Sequence, residues 1–196
     1  MNAVLALARH EARLLASLGL WAARRTRGAG EGVAFGYARG QGTMMFGLAF
    51  VIVIESVMMS LLLRNHPVVQ RVWFLADVYA LVLVVGTHAA SVVRPHVLGA
   101  DGLRVRRAAH VDLRVPVERI ARVRRELRTT HEPAEGELNL AVGSQTTVTL
   151  ELSEPVPHVT LLGRRQDVRR VRLYAEDADA LVRAVEAART VAADGP

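Results

Sequence analysis

Two stretches decide the fold: Thr43–Leu63, TMMFGLAFVIVIESVMMSLLL, and Val72–Val93, VWFLADVYALVLVVGTHAASVV. A helix needs about 20 mainly apolar residues to cross a hydrocarbon core, and each stretch has them. Each also holds eleven Leu, Ile, Val or Phe residues. In the first stretch these contribute roughly −0.3 to −0.6 kcal/mol apiece, which outweighs about +3 kcal/mol for Glu55. The second stretch opposes its apolar residues with Asp77 and His88 and is the more marginal of the two. A core helix of a soluble protein is the competing reading. Two stretches of this length, separated only by residues 64–71, favour a helical hairpin across a membrane.

Working outward from the hairpin, charge sets the topology. Arg9, Arg13, Arg24, Arg25, Arg27 and Arg39 precede it against Glu11 and Glu31, whereas the connecting loop carries only Arg64 and Arg71. Arg94 and a further arginine cluster follow it. By the positive-inside tendency, both termini are expected on the cytoplasmic side of a two-pass protein. All 25 basic residues are arginine, the mark of a GC-rich coding sequence, and the expected compartment is a bacterial cytoplasmic (inner) membrane. The chain has no cysteine, which excludes disulfides, thiolate catalysis and cysteine-ligated metal.

Residues 1–27 are expected to form an amphipathic interfacial helix. Val4, Leu7, Leu14, Leu18 and Trp21 share one side, and Arg9 and Arg13 lie opposite. Packing on the protein's own cytoplasmic domain is the alternative for this helix. Residues 28–42, GAGEGVAFGYARGQG, read as a glycine-rich linker. No strand is predicted before Gly28, Gly30 and Gly32, and no Gly-Lys-Ser/Thr follows, so a phosphate loop is not supported.

Residues 43–93 form the expected hairpin, with Glu55, Asp77, Tyr79 and His88 as its intramembrane polar residues. Placing an ionisable group at that depth is expensive, so each is a candidate functional residue. With the turn centred near Pro67, Glu55, Asp77 and Tyr79 can meet between the helices. The competing reading is structural, a polar contact that holds helix to helix or protomer to protomer.

From residue 94 the period changes to two. Leu103 and Val105 alternate with Arg104 and Arg106, and Val111, Leu113 and Val115 alternate with Asp112 and Arg114. Further strands are predicted at Ile120–Leu127, Leu138–Val142, Val148–Leu152, His158–Leu162 and Val168–Tyr174, with a loop at Glu132–Gly136. A last helix follows, N-capped by Asp177 and striped by Leu181, Val182, Val185 and Ala188. The fold class is therefore α+β: a two-helix hairpin plus a small, bent-sheet domain over residues 94–191 with a closing helix, and a tail at 192–196.

The run VLGADGLRVRRAAHVDLRVPVERIARVRREL resembles the opening of a bacterial pleckstrin-homology-like (PH-like) domain, with Val115-Pro116 and Ile120 matching the step into a later strand. VRRVRLYAEDADALVRAV resembles that family's last strand and closing helix. Such domains often follow one or two membrane helices, as in uncharacterised actinobacterial membrane proteins. The resemblance implies a cytoplasmic binding or scaffold domain facing a partner protein or anionic lipid, and no catalytic residues. The alternative is an accessory subunit of a larger membrane complex, for transport or envelope work, that uses Glu55 and Asp77.

Within the domain, Arg104, Arg106, Arg122, Arg124, Arg125 and Arg128 are the candidate lipid- or partner-binding residues. Each basic residue near an anionic surface is worth about 1 kcal/mol. A solvated, charge-balanced strand face is the competing reading. Membrane lipids and an unidentified protein are the expected partners, with a homo-oligomer compatible. Tyr174 is the one aromatic residue after Tyr79, which leaves no stacking platform for nucleic acid. The scattered histidines show no HExxH spacing, and Ser144 and Ser153 sit in no nucleophile elbow. No enzyme activity, cofactor or metal is expected.

Overall fold

The computed structural model describes residues 3–26, 32–130, 132, 134–160 and 163–194. Arg27 to Glu31 of the expected helix and linker, His131 and Pro133 of the expected loop, Leu161 and Leu162 of an expected strand, and the chain ends Met1–Asn2 and Gly195–Pro196 lie outside the described residues, as do the side chains of Val4 and Leu7. The chain is α+β, with four helices and two sheets among the described residues.

Helix α1 spans Ala3–Ala22, and a short strand β1, Val33–Phe35, follows. The long apolar helices are α2, Arg39–Leu62, and α3, Pro67–Val93. Both are long and apolar enough to cross a membrane. Pro67 opens α3, where its fixed φ suits the first helical position and its missing N–H costs no helical bond. Across the turn, the Gln70 amide donates to the Ser60 carbonyl at 3.0 Å and ties the helix ends together. The outer faces leave Phe46, Phe50, Leu61, Leu62, Phe74 and Leu75 exposed.

The sheet domain begins at once. Strands β2 (His96–Gly99), β3 (Gly102–Arg107) and β4 (Val111–Val115) form an antiparallel meander, and β1 adds to its edge through Val33↔Leu98 and Phe35↔His96. Gly102 makes the β2–β3 turn possible. Its φ is +112°, and a Cβ there would stand 2.4 Å from the Val115 carbonyl oxygen. Pro116 then ends β4, and a 3-10 turn over Val117–Arg119 carries the chain into a second sheet. That sheet has the order β5-β7-β8-β6, from β5 (Ile120–Arg128), β6 (Glu137–Leu140), β7 (Thr146–Val159) and β8 (Arg165–Leu173). Strand β6 pairs with β8 in parallel, and the other pairings are antiparallel.

Period-two burial explains the core. Leu103, Val105, Leu113 and Val115 from the first sheet meet Val148, Leu150, Val168 and Val171 from the second. Helix α4, Ala178–Asp194, adds Leu181 and Val185 to the same core, and the Asp177 side chain accepts from the Ala180 N–H at 2.8 Å.

Three expectations need correction. The linker at 28–42 is partly structured, because Val33–Phe35 pairs with β2 and α2 already starts at Arg39. The single bent sheet is two four-stranded sheets, since the proline and 3-10 turn move the chain between them. The strands expected at Val148–Leu152 and His158–Leu162 are one strand, β7, which continues through a register shift between Glu151 and Val156.

Candidate anion-binding site

Helix α1 packs on α3 and on the turn between β3 and β4. Leu14 is buried there with Ala90, Ala108 and Ala109. Gly86 of α3 faces this contact, and a Cβ on it would sit 3.5 Å from the Leu14 Cβ. Tyr79 donates a hydrogen bond to Glu11, and Trp21 meets His88 edge-on with ring centroids 6.1 Å apart. The expected side of α1 is thus used against the chain itself, while Leu15 and Trp21 keep apolar surface exposed.

Behind this contact lies a buried polar cluster that joins the hairpin to both sheets. The His96 Nδ1 accepts the Arg106 backbone N–H at 3.1 Å, so its proton sits on Nε2, which faces the Tyr174 carbonyl at 3.0 Å. Burial pushes the His96 pKa down to about 4. The Tyr37 ring lies against the His96 ring with centroids 4.8 Å apart. The Tyr37 hydroxyl accepts the Ala108 N–H at 2.7 Å and is also hydrogen-bonded with Ser91. Its pKa is pushed up to about 12 by burial. Ala108 holds a left-handed backbone, φ +44°, at a cost of about 1–2 kcal/mol for a residue with a Cβ. The Tyr37 hydrogen bond and the Leu14 contact hold it there.

In front of Ala108 opens a cavity of about 370 Å³. Arg13 from α1, Arg94 from the end of α3, Arg104 and Arg106 from β3, and His110 and Asp112 from the β3–β4 hairpin line it. Arg104 grips Asp112 with both forks, Nε to Oδ1 and Nη2 to Oδ2, each at 2.6 Å. Arg106 stands 3.7 Å from the same carboxylate and is itself only 5% exposed. The Arg94 Nη2 donates to the Arg13 carbonyl at 3.4 Å, which ties the end of α3 to the middle of α1. Burial works against the Asp112 charge, yet Arg104, Arg106 and Arg94 hold its carboxyl below the usual range. Burial, and then the neighbouring charge of Arg104, lowers the Arg106 pKa from its ordinary value. The guanidinium groups of Arg104, Arg106 and Arg94 thus act on one carboxylate, and Arg13 adds a fourth arginine to the lining of a partly desolvated space. That arrangement suits a multivalent anion.

The structure divides the candidate residues. Arg104 and Arg106 reach the cavity. Arg124 pairs with Glu126 at 3.2 Å and Glu151 at 3.5 Å, Arg125 with Asp179 at 2.8 Å, and Arg128 with Glu126 at 4.0 Å. Arg122 is exposed on the same strand, β5. Nor do the four hairpin residues meet. Glu55 is exposed on the outer face of α2 among Phe50, Val51, Ile54 and Met58. Asp77 lies in the groove between α2 and α3 beside Ser56, and its Oδ2 is buried with no hydrogen-bond partner among the described residues. Tyr79 and His88 both turn to α1.

Sequence reasoning passed over Arg13, Arg94 and Asp112 as site residues. In the sequence, Arg13 and Arg94 read as flanking charges that orient the hairpin. The adjacency of Arg94 to the end of an apolar stretch was the signal available. No family model matches the chain, and no curated protein or solved structure matches it either.

Proposed function

We propose that this is a non-catalytic, membrane-anchored binding protein. The α2–α3 hairpin crosses a bacterial cytoplasmic membrane, and a PH-like two-sheet domain stands at the inner face to engage an anionic lipid or an acidic surface of a partner protein. One observation carries the reading: the domain is built directly onto the second apolar helix. Only Arg94 and Pro95 separate α3 from β2, and His96 at once bonds to Arg106 of β3 and to Tyr174, the residue after β8. A domain joined this way is held at a fixed height and orientation, where a flexible tether would let it roam. The uncovered apolar faces of α2 and α3 suit lipid as their surroundings. In support of the PH-like reading, Val115 ends a strand, Pro116 caps a turn, Ile120 opens the next strand, and α4 closes the core.

The test exploits the absence of cysteine. Single cysteines at Asn65 and at Glu186 are probed with an impermeant maleimide on right-side-out membrane vesicles. Labelling at 65 in intact vesicles, with labelling at 186 only after permeabilisation, is the expected result. Equal labelling of both in intact vesicles overturns the topology.

The exposed carboxylate of Glu55 on an apolar face favours a second reading, an accessory subunit whose partner helix covers that residue. Under it, Glu55→Gln with Asp77→Asn lowers the size of the detergent-extracted complex on native electrophoresis. An unchanged size removes it.

A further inference from the structure

We propose that the cavity walled by Arg13, Arg94, Arg104 and Arg106 is a binding site for a phosphate group, carried by an anionic phospholipid headgroup or by a free phosphate ester. The location rests on the membrane-anchored reading; the chemistry rests on the cavity. The lining includes four arginines and one carboxylate, an excess of three formal positive charges. Asp112 offsets only one of these charges. It engages Nε and Nη2 of Arg104, orients that guanidinium and leaves its Nη1 group outside the pair. The head of Arg106 is already withdrawn from bulk water, so the fold has met its desolvation cost before any ligand arrives. A tetrahedral phosphate offers acceptor oxygens in several directions, which matches arginines carried by α1, the end of α3 and β3. A carboxylate, with two oxygens in one plane, matches only one such fork. Ala108, Ala109 and Val111 supply an apolar side to the same cavity, suited to the carbon atoms next to the phosphate in an ester. Arg94 follows directly on the last residue of α3. With α3 crossing the membrane, that is the level of the inner headgroups, and an inner-leaflet lipid can place its phosphate there without leaving the bilayer. Because α1 and α3 provide half of the arginines, the site belongs to the whole chain and not to the sheet domain alone.

The experiment uses the full chain, purified in a neutral detergent and stripped of lipid. Binding is read by isothermal titration calorimetry in four arms: short-chain phosphatidic acid, short-chain phosphatidylglycerol, short-chain phosphatidylcholine and inorganic phosphate. Saturable one-site binding is expected in at least one of the two anionic-lipid arms or in the phosphate arm, and it should weaken as salt rises. Response to the anionic lipids without displacement by inorganic phosphate assigns the headgroup as ligand. Displacement, or response to inorganic phosphate alone, assigns a free phosphate ester. Arg94→Gln should weaken binding about tenfold, as expected for losing one charged hydrogen-bonding partner. Arg13→Gln, at an exposed position whose loss leaves the α3–β2 join intact, should do the same. Arg122→Gln, on the other sheet, should change nothing, and circular dichroism checks that all three variants fold. No saturable binding in any arm, equal binding of phosphatidylcholine, or equal loss in Arg122→Gln overturns the proposal. Alkaline carbonate extraction of the starting membranes tests the anchoring separately. Release of the chain would overturn that reading, and the inorganic phosphate arm would still judge the cavity.

Discussion

Acidification should loosen the joint at His96, and the size of the effect follows from its surroundings. His96 is 2% exposed, and its Nδ1 is committed as an acceptor to the Arg106 N–H. Protonation would put a proton on that acceptor and a charge into a buried site. The folded-state pKa is therefore depressed, from 6.5 to about 4. For a histidine the sign is then definite. The unfolded chain binds the proton more readily, so the contribution of this group is complete above pH 6.5 and is lost as pH falls toward 4. Between pH 7.5 and 4.5, linkage with these two values removes roughly 2–3 kcal/mol of stability. His96→Gln keeps an acceptor and a donor and removes the titration. The assay is denaturant unfolding of the full chain in mild detergent, followed by circular dichroism at both pH values. Wild type should lose about 2–3 kcal/mol more than the variant across that interval. Burial also lowers the His158 pKa, but His158 is present in both proteins and cancels in the difference. Equal pH dependence in wild type and His96→Gln would refute the account of His96 as a neutral staple.

Other consequences are more local. Gly102→Ala should cost about 2–4 kcal/mol in the same unfolding assay, because a Cβ at φ +112° collides with the Val115 carbonyl. Leu14→Ala should cost about 2–3 kcal/mol of α1 docking and speed tryptic cleavage at the exposed Arg24 and Arg25, since Leu14 is the apolar side chain of α1 buried against Ala90, Ala108 and Ala109. Asp112→Asn removes the one carboxylate of the cavity. It should lower stability by no more than about 1 kcal/mol, as the pair is half exposed. In the calorimetric titration it should tighten phosphate binding several-fold, and weaker binding would contradict the assigned charge balance.

The site shows why sequence neighbours mislead. Arg104 to Arg128 form one dense run of arginines in the chain, yet β4, Pro116 and the 3-10 turn send its two halves to different sheets. Arg124, Arg125 and Arg128 then meet carboxylates from their own strand, from β7 and from the start of α4. Arg104 and Arg106 instead meet Arg13 and Arg94, which lie on separate helices before them in the chain.

What the sequence determined by itself is everything governed by short-range period and length. Two apolar runs of spanning length make two long helices. Alternation makes β3, β4 and β8, and Asp177 caps α4, because backbone geometry ties side-chain direction to spacing within a few residues. The tertiary structure alone decided the rest. Val33–Phe35 is too short to announce a strand and becomes one through hydrogen bonds to β2, more than sixty residues away. Glu55, Asp77 and Tyr79 lie at similar heights along the hairpin but not on one face, since a helix turns 100° per residue and small changes in packing rotate a side chain out of reach. The cavity exists only where α1, the end of α3 and the β3–β4 turn converge. Such long-range packing depends on the summed fit of many buried side chains, and no local pattern encodes it.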